Sequence, residues 1–184
     1  MDIEKDVEKI ARQLIAIDSV TSASNAQVSD FLADTLVELG FEVVKFPYVD
    51  SQGTPKVTLA AKRAALRSMT DSGSGDSRQA VADRSGGIGF FCHSDVVSVD
   101  GWDCPHGGPF SAAVAHQRLW GRGACDMKGP IAAALAAISR LDPKPQRAPI
   151  YFFVTGDEEC GMAGARLLTE QSDYYRELVD SRAA

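Results

Sequence analysis

Apolar residues recur along the first forty positions at the three-to-four spacing of amphipathic helices. Ile3, Val7, Ile10, Leu14 and Ile17 form one stripe with charged residues between them, which predicts a helix over residues 3–17. A second stripe through Val28, Phe31, Leu32, Leu36 and Leu39 follows the capping pair Ser24-Asn25 and stops at Gly40, a residue suited to the left-handed position past a helix end. The period then changes. Residues 41–49 and 57–61 are rich in β-branched and aromatic side chains and read as strands. Residues 87–92 and 150–155 are short, continuously apolar runs, the pattern of strands buried on both faces.

Between these runs, residues 113–120 read as a small hairpin. An Ala-rich helix is expected from about Gly129 to Arg140, and Asp142-Pro143-Lys144-Pro145 breaks it. Residues 163–182 are helical in pattern, in two pieces. Residues 67–86 change to Ser, Gly, Asp and Arg, which predicts a solvated, mobile loop. No Lys-Ser/Thr pair follows its glycines, so a phosphate cradle is not indicated. No internal repeat is present.

The two apolar strands each end on a polar cluster. His93-Ser94-Asp95 follows the first, and Gly156-Asp157-Glu158-Glu159 follows the second. Open α/β sheets place ligands at the carboxyl ends of their strands. A third acidic station, Asp126, lies between them in Gly121-Arg122-Gly123-Ala124-Cys125-Asp126-Met127-Lys128-Gly129. It stands 33 residues after His93 and 33 before Glu159. Such intervals fit one helix or hairpin plus a return to the same sheet edge. One imidazole and several carboxylates gathered there form a ligand set for a divalent metal, with zinc favoured.

Each station also has a bland reading. A histidine at a strand end is commonly a hydrogen-bonded structural residue, Asp126 fits an N-cap for the Ala-rich helix, and an acidic triplet suits a helix N-terminus. The functional reading rests on all three stations together. Adjacent acids cannot easily point at one atom, so Glu158 and Glu159 suggest divided labour: one binds metal and the other handles a proton.

Composition narrows the class without naming the chemistry. The 184 residues are 45% hydrophobic and 24% charged, an ordinary composition for a single soluble domain. A net charge of −6 without a Lys/Arg run argues against nucleic acid as a partner. No apolar stretch approaches a membrane span, and the charged start does not read as a secretory signal, so the cytoplasm is the default compartment. The four cysteines show no CxxC spacing. Cys92, Cys125 and Cys160 adjoin the stations and are expected to be small, buried, reduced space-fillers. A Cys–His nucleophilic enzyme is disfavoured, because Cys92 and His93 are strand neighbours that point apart, and no Gly-x-Ser-x-Gly supplies a serine.

His93-Ser-Asp-Val-Val, the segment from Trp102 to Pro109-Phe110, Leu119-Trp-Gly-Arg-Gly-Ala-Cys-Asp-Met-Lys-Gly129 and Thr155-Gly-Asp-Glu-Glu-Cys-Gly161 closely resemble the metallohydrolase family of acetylornithine deacetylase, succinyl-diaminopimelate desuccinylase, aminoacylase and the zinc glutamate carboxypeptidases. The resemblance implies a three-layer αβα sandwich on a mostly parallel mixed sheet. It implies two zinc ions, with Co2+ or Mn2+ as alternatives. His93 would bind one metal and Asp95 would support that histidine. Asp126 would bridge both metals, followed by a cis peptide. Glu158 would be the general base, and Glu159 would bind the second metal. The reaction implied is hydrolysis of the amide bond of an N-acyl amino acid or small peptide through a metal-activated water. A homodimer is expected of a full-length relative.

The family also carries a further carboxylate and a late histidine as ligands, a smaller inserted dimerisation domain, and a second half of the catalytic domain. None of these is found in the 184 residues, which are expected to be the N-terminal part of the catalytic domain. Glu177 and Asp180 read as residues of an exposed helix, and His106 and His116 as surface residues, so none is assigned as a ligand. The expectation is weak metal binding and little or no turnover by this chain alone. The alternative reading is an inactive metal-binding or interaction fragment of such an enzyme.

Overall fold

The computed structural model describes residues 3–65 and 86–181; the loop expected over residues 67–86 lies almost wholly outside them. Both N-terminal stripes are helices, α1 (Ile3–Ala16) and α2 (Ala26–Glu38). Gly40 ends the second at φ 82°, and Phe41 folds back to donate its N–H to the Leu36 carbonyl at 3.0 Å.

The chain then forms β1 (Glu42–Val49) and β2 (Pro55–Arg63). In the turn between them, Asp50 accepts the N–H groups of Gln52 and Thr54 at 2.8 Å each. That local bonding closes an antiparallel hairpin. β3 (Ile88–His93) comes next, followed by the small hairpin β4 (Ala113–Ala115) and β5 (Arg118–Trp120). The hairpin turns at His116-Gln117, both at positive φ (52° and 59°), as a two-residue primed turn requires. An irregular turn, Ala124–Lys128, leads into α3 (Gly129–Ser139) and then β6 (Ile150–Thr155). The C-terminal helical pattern is two helices, α4 (Ala163–Gln171) and α5 (Asp173–Asp180). They are split at Ser172, whose extended backbone frees its hydroxyl to accept the Tyr175 N–H at 3.2 Å.

The main sheet has the order β1-β2-β6-β3. Alternate residues of β6 feed two cores. Ile150, Phe152 and Val154 pack with Leu14 of α1, Leu32 of α2 and Leu135 of α3, while Tyr151 and Phe153 pack with Leu168 of α4 and Leu178 of α5. Both faces of β6 are therefore covered, and every one of its residues is buried. This is the αβα arrangement. The sheet is mixed as expected, but antiparallel pairs predominate among the described strands. β1–β2 and β2–β6 are antiparallel, and only β3–β6 is parallel. The short turn after β1 forces its pair antiparallel, whereas the longer path from β3 through the hairpin and α3 permits a parallel return.

Candidate metal centre

The parallel pair sets the site. β3 and β6 run in register with His93 opposite Thr155, so both stations leave the sheet side by side at its carboxyl edge. Ser94 stitches the exit: its N–H donates to the Thr155 carbonyl at 2.9 Å and its hydroxyl to the same oxygen at 3.2 Å. Asn25 is at the N-cap position of α2 but makes no side-chain cap there. Its buried amide instead accepts from Val57 N–H and donates to the Val57 carbonyl and the Ser94 hydroxyl, all within 2.8–2.9 Å. α2, β2 and the end of β3 are thereby pinned together.

His93 is buried, with 7% of its side chain exposed. Its Nδ1 lies 2.9 Å from the backbone carbonyl of Asp95, and its Nε2 lies 3.0 Å from Asp126 Oδ1. An acceptor on each ring nitrogen favours the doubly protonated ring. Burial opposes that charge, but Asp126, the Asp95 carbonyl and the nearby carboxylates prevail, and the pKa is raised above the ordinary histidine value.

The Asp95 carboxylate has a different set of contacts. Its nearer oxygen is 3.7 Å from His93 Nδ1, while its two oxygens accept the backbone N–H groups of Glu158 and Glu159 at 3.2 and 3.1 Å. Asp95 therefore ties the first station to the third, and the histidine is oriented by its backbone carbonyl.

Asp126 occupies the turn before α3 and makes no cap to that helix, whose N-cap position falls on Lys128. Gly123 enters the turn at φ 78°, and a Cβ there would meet Val96 Cγ1 at 2.6 Å, so only glycine fits. The Asp126–Met127 peptide is cis. The Asp126 side chain is 74% exposed and stands at the mouth of the site above the buried imidazole.

Glu158 and Glu159 form a short helical turn, Glu158–Cys160, after Asp157. One ligand atom from each of His93, Glu158 and Glu159 lies within 4.8 Å of the others. Glu158 Oε2 is 3.9 Å from His93 Nε2. Burial raises the Glu159 pKa; the carboxylates of Asp126, Glu158 and Asp95 raise it further, against the opposing pull of His93. A cation would relieve this crowding of like charge. One imidazole and two convergent glutamates, with Asp126 against the imidazole but outside that group of three, suit zinc, cobalt or manganese by donor chemistry, and the residues present fit such an ion.

Several buried polar residues support the stations without any sequence signal of their own. Asp157, the first acid of the triplet, is buried, with Oδ1 2.9 Å from Lys56 Nζ and Oδ2 accepting the Tyr48 hydroxyl at 3.0 Å. Burial, then the Asp157 carboxylate, pushes the Tyr48 phenol up, so it remains a donor. Lys128, beside Asp126, is also buried and donates to the Ile17 carbonyl at 2.6 Å. Burial lowers its pKa to about 8. Amphipathic patterning reads lysines as surface residues, which is why neither Lys56 nor Lys128 stood out.

The cysteine expectation divides. Cys92 is buried, with its Sγ 3.2 Å from the Phe153 carbonyl, and burial pushes its thiol up. Cys125 and Cys160 are exposed. They sit on turns outside the sheet, where strand alternation does not turn a neighbour inward. His106 and His116 pack against each other, ring centroids 5.3 Å apart, with His106 4.5 Å from Trp120. Glu177 is paired with Lys62 at 2.7 Å. None of these joins the cluster. A cleft of about 430 Å³ opens beside the stations. Asp126 and Glu159 line it on one side, and Trp102 and Arg122, stacked at 5.1 Å, on the other.

The family profile of peptidase family M20/M25/M40 matches residues 89–182, just over half of the chain. Succinyl-diaminopimelate desuccinylase of Rhodospirillum rubrum is 34% identical over 183 residues, covering 93% of this chain and 41% of that protein. Acetylornithine deacetylase of Myxococcus xanthus is 32% identical over 158 residues, covering 86% and 36%. The chain thus spans about two fifths of the length of these curated relatives. Among solved structures, human carnosine dipeptidase 1 shares the fold at TM-score 0.71 and 24% identity, over 97% of this chain and 38% of that one. An M20 family metallo-carboxypeptidase from Sulfolobus solfataricus does so at TM-score 0.65 and 21% identity, over 92% and 34%. With the three stations converged at one sheet edge and the profile running through all of them, the chain belongs to peptidase family M20/M25/M40.

Proposed function

We propose that this chain carries the metal-binding edge of a hydrolase that cleaves the amide bond of N-acyl amino acids or small peptides. The observation that supports it most directly is the meeting of His93, Asp126, Glu158 and Glu159 at the carboxyl edge of β3 and β6, in a chain whose curated relatives are a desuccinylase and a deacetylase. His93, Asp126 and Glu159 would hold the metal. A divalent cation bound there supplies Lewis acidity and a nucleophile at neutral pH.

The chain's own residues divide the remaining work. Glu158, half-exposed and 3.9 Å from His93 Nε2, takes a proton from water and returns it to the leaving nitrogen as the carbon–nitrogen bond breaks. Asp95 holds the backbone of both glutamates, and its carbonyl fixes the tautomer of His93. A soluble cytoplasmic setting and a small-molecule substrate complete this reading; among the described residues no helix is long and apolar enough to cross a membrane.

A second reading has an observation of its own. A closed zinc site takes about four ligands, and His93 supplies the only imidazole in the cluster among the described residues. Two complete sites are therefore not assembled by these donors, and a metal-binding module with little turnover by itself is the alternative. Metal content of the purified chain, measured together with hydrolysis of acyl-amino acids, separates the two. Metal with turnover supports the enzyme, metal without turnover supports the module, and neither would refute both.

A further inference from the structure

Beneath the two site glutamates lies a charge group that no step above uses. Lys56 is fully buried, and its ammonium has three oxygen neighbours: the Thr21 carbonyl at 2.6 Å, Asp157 Oδ1 at 2.9 Å and Asp50 Oδ2 at 3.9 Å. Asp157 is held on its other oxygen by Tyr48. Tyr48 and Lys56 come from opposite strands of the β1–β2 hairpin and are register partners, so one rigid element supplies both grips.

Asp157 is also the pivot of the turn that carries the acids. Its backbone is left-handed, at φ 60°, and its carbonyl accepts the N–H groups of Met162 at 2.6 Å and Cys160 at 3.4 Å. The next two N–H groups, of Glu158 and Glu159, donate to Asp95. The turn is thus clamped at its base through the Asp157 side chain and on its flank through Asp95.

A buried ion pair is a weak source of net stability, because desolvation offsets attraction. A non-glycine residue at positive φ adds a cost of its own. Two unfavourable features kept at one residue, directly preceding the site acids, point to geometry as their use. The pairing also neutralises a carboxylate that would otherwise add to the repulsion among Asp95, Asp126, Glu158 and Glu159.

We propose that half-buried Tyr48 and the buried pair Lys56 and Asp157 form a positioning device that presets Glu158 and Glu159 for a divalent cation. The proposal rests on the metal-site reading above. These are positioning residues; none of them reaches the cation.

The test uses the 184-residue chain with Tyr48→Phe, which removes one hydrogen bond and keeps the ring, and Lys56→Met, which removes the charge and keeps the stem. Two readouts are taken: Co2+ affinity from the visible absorption of the bound ion, and amide hydrogen exchange at Glu158 and Glu159 with Val154 of β6 as the control. The expected result is at least fivefold weaker Co2+ binding and at least tenfold faster exchange at Glu158 and Glu159, with Val154 unchanged within twofold. Exchange at the two glutamates within twofold of wild type would overturn the proposal. So would acceleration shared equally by Val154, which marks general destabilisation. If Lys56→Met does not fold, Tyr48→Phe decides by the same criteria. If the unaltered chain takes up no Co2+, the metal reading fails separately, and the exchange at Glu158 and Glu159 still decides whether the device holds the turn.

Discussion

His93 carries a hydrogen-bond partner on each ring nitrogen, and the two partners do different things. The Asp95 carbonyl fixes Nδ1 as a donor, which leaves Nε2 as the ligand atom once its proton is lost to solvent. Asp126, 3.0 Å from Nε2, stabilises the protonated ring in the metal-free state. Metal capture therefore competes with a proton on Nε2. Uptake of Co2+ should be full above the raised His93 pKa and fall as pH drops through it, in a titration of bound metal against pH. Glu158→Gln should leave metal content unchanged, as measured by elemental analysis; loss of the metal would make Glu158 a ligand and not a base.

Lys128 gives a second pH signature at the same scale. Its folded pKa, about 8, lies below the value of about 10.4 for a free lysine. Below pH 8 the ammonium is charged in both states, and the cost of burying it is fully present. Between these values the unfolded state binds more protons, so the stability contributed by this position rises with pH. The thermal midpoint of the wild type minus that of Lys128→Met should accordingly increase between pH 8 and 10.5. A flat difference would mean that burial does not lower the Lys128 pKa, the amine titrating alike in the folded and unfolded states.

At the scale of elements, the site depends on one parallel strand pair and on the turns that follow it. Gly123→Ala places a Cβ 2.6 Å from Val96 Cγ1 at φ 78°, and the left-handed backbone alone costs about 1–2 kcal/mol. Asn25→Ala leaves the Val57 N–H without its partner, which costs about 1–3 kcal/mol when buried. For a chain of this size each kilocalorie lowers the melting temperature by roughly 2–4 °C, so both variants should melt measurably below the wild type in a calorimetric scan.

The sequence was most readable where one rule decided the outcome. Period shifts separate α1 and α2 from β1 and β2, and the two apolar runs are the strands β3 and β6; β6 is covered on both faces as its pattern predicts, whereas β3 is an edge strand that leaves Ile88 and Phe91 exposed. What it concealed depends on tertiary partners. Asp157 reads as one of three equivalent acids, and only the approach of Lys56 and Tyr48 from the hairpin makes it structural. Strand direction was equally hidden: β2 lies antiparallel to β6 because of how the hairpin docks, which no residue of β2 encodes locally. Cys125 and Cys160 adjoin the stations in sequence, which predicts burial, but they lie on turns that leave them exposed.

At the scale of the whole molecule, the fold brings residues 93, 126, 158 and 159 together from three loops at one edge, with helices on both sheet faces to hold it. The resulting cluster is acidic around a single buried imidazole, an arrangement that is strained by like charge when empty and satisfied by a divalent cation. Binding to the folded state alone should raise the melting temperature as the metal concentration rises. The most direct test of the central claim is a Co2+ titration followed by visible absorption on the purified chain and on His93→Ala. The account predicts saturable binding by the wild type, weaker than that of a closed four-ligand site, and its loss in His93→Ala with the fold retained by circular dichroism. No binding by the wild type, or equal binding by both proteins, would contradict it.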